Sequence, residues 1–148
     1  MKLSECVGSN KPIHPRKDGA VMLDLCSDVM VRSLVKHGIV ERKSKILKAP
    51  VVKDRLVRHW IRGYLDGDGC VRMNNKSLYV EIVGTLDVTN FIRSQWAEFT
   101  APKEKDGCWH LRMHGNLKVD KFLSWIYNRS GICLQRKRSV WQNREVYH

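Results

Sequence analysis

The chain has 148 residues, 43% of them hydrophobic, enough for one ordinary domain with a real core, which excludes wholesale disorder. Lys and Arg number 27 against 15 Asp and Glu, and the formal charge of +12 points to an extended polyanion as partner: DNA, RNA or an anionic membrane surface. No apolar run approaches the ~18–20 residues of a membrane-spanning helix, and the N-terminal stretch has no apolar secretory core, so neither insertion nor secretion is expected.

In chain order, the polar first twenty residues, with two Pro and two Gly, read as loop or a poorly ordered hairpin. Residues 20–25 predict a strand. Ser27 or Asp28 can cap a helix to about Lys36, carrying Val31, Leu34 and Val35 and stopped by His37-Gly38. A basic connector runs to Pro50. The best-formed helix spans about 53–66, where Leu56, Trp60 and Tyr64 join Val57, Ile61 and Leu65 in one wide apolar stripe. Gly63 and Gly67 lie four apart on that helix, and each costs ~1 kcal/mol against alanine. Close approach by another helix backbone is the natural reason for them. The period then changes to two. Residues 70–74 and 77–84 predict a hairpin across Asn75-Lys76. A helix is expected over 87–99, a strand over 108–114 and a helix over 116–127, and LQRKRSVWQNR forms a basic tail. That order is an α+β unit. Five scattered cysteines (Cys6, Cys26, Cys70, Cys108, Cys133) form no CxxC pair. They argue for a reducing intracellular setting (cytoplasm, nucleoid or organelle) and against a disulfide framework or structural zinc.

Two stretches echo each other 88 residues apart (23 against 111): Leu23 matches Leu111, Leu25 matches Met113, Val31 matches Val119, and Leu34 matches Phe122. Slightly later, Arg42-Lys43 matches Arg136-Lys137. Residues 1–52 then form a partial first repeat and 53–148 a complete one with a basic tail, about one and a half repeats in all.

Asp66-Gly67-Asp68-Gly69 puts two carboxylates at the negative end of a helix dipole, a costly position without a compensating cation. The plain alternative is a solvated, Asp-rich helix stop. An EF-hand is excluded, because its fifth and twelfth positions would be Cys70 and Ser77. The nonapeptide Ile61-Arg62-Gly63-Tyr64-Leu65-Asp66-Gly67-Asp68-Gly69 resembles, position by position, the signature helix of the LAGLIDADG homing endonucleases. The flanking Gly38, Ile39, Lys43, Ser44 and Pro50, with Leu134, Arg136 and Lys137 at the end, are similar to the flanks of intein- and intron-associated members. The resemblance covers about residues 20–140.

The resemblance implies an αββαββα repeat with a DNA-binding β-saddle and a site-specific DNA endonuclease. Two motif helices pack through Gly63 and Gly67, and Asp68 holds a divalent metal, Mg2+ or Mn2+, at their interface. Asp66 is a structural or peripheral contributor. Lys43 and Lys137 fall where family members place a lysine near the scissile phosphate, the plain alternative being a solvated charge. Such a centre suits the chemistry, since phosphodiester hydrolysis needs an activated water and charge neutralisation.

Along 109–114, His110, Arg112 and His114 share one strand face and Trp109, Leu111 and Met113 the other; Arg72 and Asn74 alternate likewise with Val71 and Met73. A cationic face opposite an apolar one suits a strand in the DNA major groove, though an ordinary half-buried sheet has the same alternation. Arg136 and Arg138 add basic contacts. The expected partners are double-stranded DNA and either a second copy or another chain supplying the other motif helix, with no membrane. The alternative is a catalytically inactive DNA- or RNA-binding protein, a regulator or splicing maturase, on the same fold.

Overall fold

The computed structural model describes residues 3–19, 21–41 and 43–143. Three small elements come first: helix α1 (Leu3–Cys6) and strands β1 (His14–Pro15) and β2 (Val21–Met22), paired antiparallel. Helix α2 spans Asp28–Lys36, and the Ser27 hydroxyl accepts the Met30 N–H as its cap. A 3-10 turn, Lys43–Lys45, leads to the main unit.

That unit begins with α3 (Asp54–Asp68) and the hairpin β3 (Gly69–Asn74) and β4 (Ser77–Gly84). Then come α4 (Leu86–Gln95), β5 (Lys103–Lys105), β6 (Cys108–His114), α5 (Asn116–Tyr127) and α6 (Gln135–Gln142). The four strands form one antiparallel sheet in the order β3-β4-β6-β5. Asn75 and Lys76 both take positive φ, +46° and +65°, which matches the two-residue loop that best follows strand twist. The Asn116 side chain locks this turn: its Oδ1 accepts the Leu78 N–H at 2.8 Å and its Nδ2 donates to the Lys76 carbonyl at 3.1 Å.

One sheet face, with Val71, Leu78, Val80, Ile82, Leu111 and Met113, is buried against the helices. Val57, Ile61 and Leu65 of α3, Val88 and Ile92 of α4, and Val119, Phe122, Leu123 and Ile126 of α5 close the core. Full burial of each such side chain is worth ~1.5–3 kcal/mol, and this hydrophobic layer fixes which sheet face stays outside.

Several expectations are corrected. The predicted strand 20–25 contracts to Val21–Met22, with residue 20 outside the described residues. Helix 87–99 ends at Gln95, because Trp96 turns extended and packs its ring on Phe122 and Trp125. The basic tail is helix α6. Its Trp141 ring stacks on Tyr127 at 6.1 Å between centroids and donates from Nε1 to Asp120 at 2.8 Å, so an aromatic anchor overrides the tail's charge.

Candidate functional site

The carboxyl end of α3 splits its two acids. Asp66 turns inward, where it accepts the Tyr127 hydroxyl at 2.6 Å and the Leu134 N–H at 2.8 Å. Burial, together with the Asp66 charge, pushes the Tyr127 phenol well above its usual range. Asp68, the last residue of the helix, is exposed. It borders a cavity of about 250 Å³ that is also lined by Ser44, Leu47, Tyr64, Val83, Gly84 and Cys108. The Tyr64 hydroxyl donates to the Val83 carbonyl at 3.3 Å, and burial with the Asp68 charge raises its pKa to about 12. A side chain at Gly84 would strike the Tyr64 hydroxyl, so this glycine makes room for the ring.

Gly63 and Gly67 lie on the exposed side of α3 with Leu56, and a Cβ added at either would meet nothing within 4 Å. The described residues provide no close neighbour that needs glycine there.

The outer sheet face is cationic with one acid at its centre. Glu81 on β4 pairs directly with Arg112 on β6. Its Oε1 accepts from Arg112 Nε at 2.7 Å and faces His110 Nδ1 at 2.8 Å. Because an ionised carboxylate only accepts, Nδ1 carries the His110 proton. Burial alone would raise the Glu81 pKa, but bonds from His110, Arg112 and Tyr79 outweigh it and hold the group at about 2. Alongside, the Arg72 guanidinium lies 4.4 Å from the Tyr79 ring centroid and the His114 ring 4.6 Å from it on the other strand. Asn74 is exposed at the end of β3.

No protein-family model matches the chain, and no curated protein matches it. Solved structures do. The homing endonuclease I-CvuI, in complex with the I-CreI target in the presence of 2 mM Mg and with the DNA not cleaved, superposes with a TM-score of 0.50 at 16% identity over 60% of this chain and 66% of that one. The chain has the homing-endonuclease fold. A second homing endonuclease, I-TnaI, matches with a TM-score of 0.47 at 15% identity over 56% of this chain and 65% of that one. The chain thus spans about two thirds of the length of each match.

Within the homing-endonuclease fold, two basic positions depart from expectation. Lys137 is 3% exposed rather than free to meet a phosphate. Its ammonium donates to the carbonyls of Leu65 at 2.7 Å, Asp66 at 2.8 Å and Gly69, so its three donors are spent on the end of α3. Burial, together with nearby Arg136, lowers its pKa. Arg138 is half-buried and donates from Nη1 to Cys133 Sγ at 3.7 Å, so it is not a free surface cation; Arg136 is exposed. The Lys43 backbone lies in the 3-10 turn beside Ser44 of the cavity; its side chain lies outside the described residues. Sequence reasoning missed Glu81 and Tyr127. Strand alternation on β4 could have put Glu81 on the cationic face, but nothing local signals a bond across 61 residues from Tyr127 to Asp66.

The donor set bears on a metal. Among the described residues no three His, Cys, Asp or Glu side chains gather as a ligand cluster. Asp68 offers one exposed hard-oxygen ligand, which fits Mg2+ or Mn2+ only as one contributor to a shared site completed by other oxygens, such as substrate phosphates.

Proposed function

We propose that the chain is a subunit of a site-specific DNA endonuclease that acts once a second motif helix packs on Gly63 and Gly67. One observation carries the reading: Asp68 is exposed beside a cavity at the end of an open glycine face, while its neighbour Asp66 is held inside. A second helix against that face brings a second carboxylate beside Asp68, and the pair holds Mg2+ or Mn2+. When bound, such an ion supplies water activation and charge neutralisation at the phosphate. The residues of this chain position the substrate. Arg72, His114 and the outer sheet face meet the DNA backbone and groove, and the Tyr64 ring, held by its hydroxyl on the Val83 carbonyl, lines the cavity beside Asp68. The net charge of +12 supports the polyanion partner.

The test is a cleavage and binding assay on mixed duplex DNA with Mg2+, with salt as a variable. Cutting or nicking that Asp68→Asn removes while binding persists is the expected result; binding that ignores salt overturns the DNA reading. One second reading is favoured by the lack of a ligand cluster around Asp68 among the described residues: a non-cleaving DNA- or RNA-binding protein, whose binding would be salt-sensitive with no cleavage under any assembly.

A further inference from the structure

An acid at the centre of a cationic sheet face weakens attraction for a polyanion, so Glu81 calls for a reason of its own. Strand pairing sets it opposite Arg112 and diagonal to His110. One of its oxygens, Oε1, accepts both the Arg112 Nε–H at 2.7 Å and the His110 Nδ1–H at 2.8 Å. These donors keep Glu81 ionised, and an ionised carboxylate only accepts. The side chain of Glu81 is 17% exposed and that of Arg112 35%, so the acid lies beneath the base that it holds.

The acid decides what its two neighbours can offer outward. With the proton on Nδ1, a neutral imidazole has its one acceptor at Nε2. That atom is not buried and bonds to none of the described residues. Arg112 has five N–H donors in a planar fork. Its Nε–H goes to Glu81 and the Tyr79 hydroxyl lies beside the group, which leaves at least two Nη donors for a ligand. Without Glu81 the imidazole could carry its proton on either nitrogen and the fork could turn. The face would then hold two ordinary surface bases. In the DNA major groove, guanine presents two acceptors, O6 and N7, while donors come only from the amino groups of adenine (N6) and cytosine (N4). A two-donor fork fits guanine. An acceptor nitrogen fits adenine or cytosine and meets only acceptors on guanine and thymine.

We infer that Glu81 is the positioning residue of a two-position base reader, in which Arg112 takes a guanine and His110, as a neutral acceptor, takes the amino group of an adenine or cytosine about two base-pair steps away. The spacing follows from the strand: residues two apart on one face lie about 6.8 Å from each other, twice the rise of about 3.4 Å per base. The inference rests on the proposed DNA reading and goes beyond it by naming the bases and the side chain that selects them. It does not depend on cleavage or on the assembly around α3.

The test is binding of the full chain to a duplex that it selects from a random library, followed by exchange of single bases for analogues along that duplex. Replacing one guanine by 7-deazaguanine, which lacks N7, should weaken wild-type binding by about tenfold and leave Arg112→Ala unmoved. About two steps away, removing the amino group of one adenine or cytosine should weaken the wild type by about as much and leave His110→Ala unmoved. Glu81→Gln, checked for folding by thermal unfolding, should keep salt-sensitive binding and lose both penalties. Both penalties intact in Glu81→Gln overturn the inference, and so does a wild type indifferent to the loss of every amino group. The two alanine variants decide the base assignments even where Glu81→Gln fails to fold. A flat analogue scan with steep salt dependence sinks the base reader and leaves the DNA reading, whereas binding that ignores salt sinks both.

Discussion

The ammonium of Lys137 closes the carboxyl end of α3 by bonding the carbonyls of Leu65, Asp66 and Gly69. A helix ends in unpaired carbonyls and partial negative charge, and a buried cation answers both. The same contact ties α6 to the start of β3, so the helix holding Asp68 is fixed from below. Lys137→Met should therefore lower stability by about 2–4 kcal/mol, because it leaves several buried carbonyls without donors. Thermal unfolding checks this. An unchanged Tm with lost cleavage would restore the direct catalytic role that the sequence resemblance implies.

The two acids of the motif should separate by variant. Asp66→Asn loses charge-assisted bonds to Tyr127 and Leu134 and should cost about 1.5–3 kcal/mol in stability. Asp68→Asn should leave stability equal or slightly raised, since it removes an acid from the negative end of a helix. Urea midpoints for both variants, with a cleavage assay, read out the contrast. An equal stability loss at the two positions would contradict the assignment of Asp66 as structural.

Glu81 gives a pH dependence with a definite sign. Its folded pKa of about 2 lies below the ordinary 4.5, so its charged form favours folding. The contribution is present above about pH 4.5 and is lost as pH falls towards about 2. Urea unfolding of wild type and Glu81→Gln should differ at pH 6 and converge on acidification. The same variant frees Arg112 and His110 from their acid and should tighten DNA binding several-fold at low salt. A constant stability gap across that pH range would refute the ion-pair account.

Gly63→Leu should behave oppositely in the free chain and in the assembly. With nothing near the missing Cβ, the free helix gains about 1 kcal/mol of propensity. The close approach of a second helix is blocked, so assembly and cleavage should fall together. Sedimentation with and without DNA checks this; unchanged association would remove the glycine face from the interface.

Much of this fold was legible because its signals are local. The Ser27 cap, the Asn75-Lys76 turn and the alternation of β6 place α2, the β3–β4 hairpin and β6 almost to the residue. The helix expected over about 53–66 forms as α3 but runs on to Asp68. What the sequence hid was tertiary. In Gln135-Arg136-Lys137-Arg138 nothing marks which cation is swallowed, since only the docking of α6 under α3 decides it. The resemblance set Asp66 apart from Asp68, but the physical reason, the bonds from Tyr127 and Leu134 more than sixty residues on, is tertiary. Glu81 reads as a stray acid until strand pairing sets it opposite Arg112.

The Asn75-Lys76 turn also acts as a frame lock for whatever the outer face reads. Strand side chains alternate, so a slip of one residue in the β3–β4 pairing would carry Arg72 towards the core and bring the buried Val71 to the surface. Two left-handed residues, pinned on one side by Asn116, forbid that slip. A lengthened loop at this tip would leave the charge of the protein untouched and still scramble the order in which its basic side chains are presented.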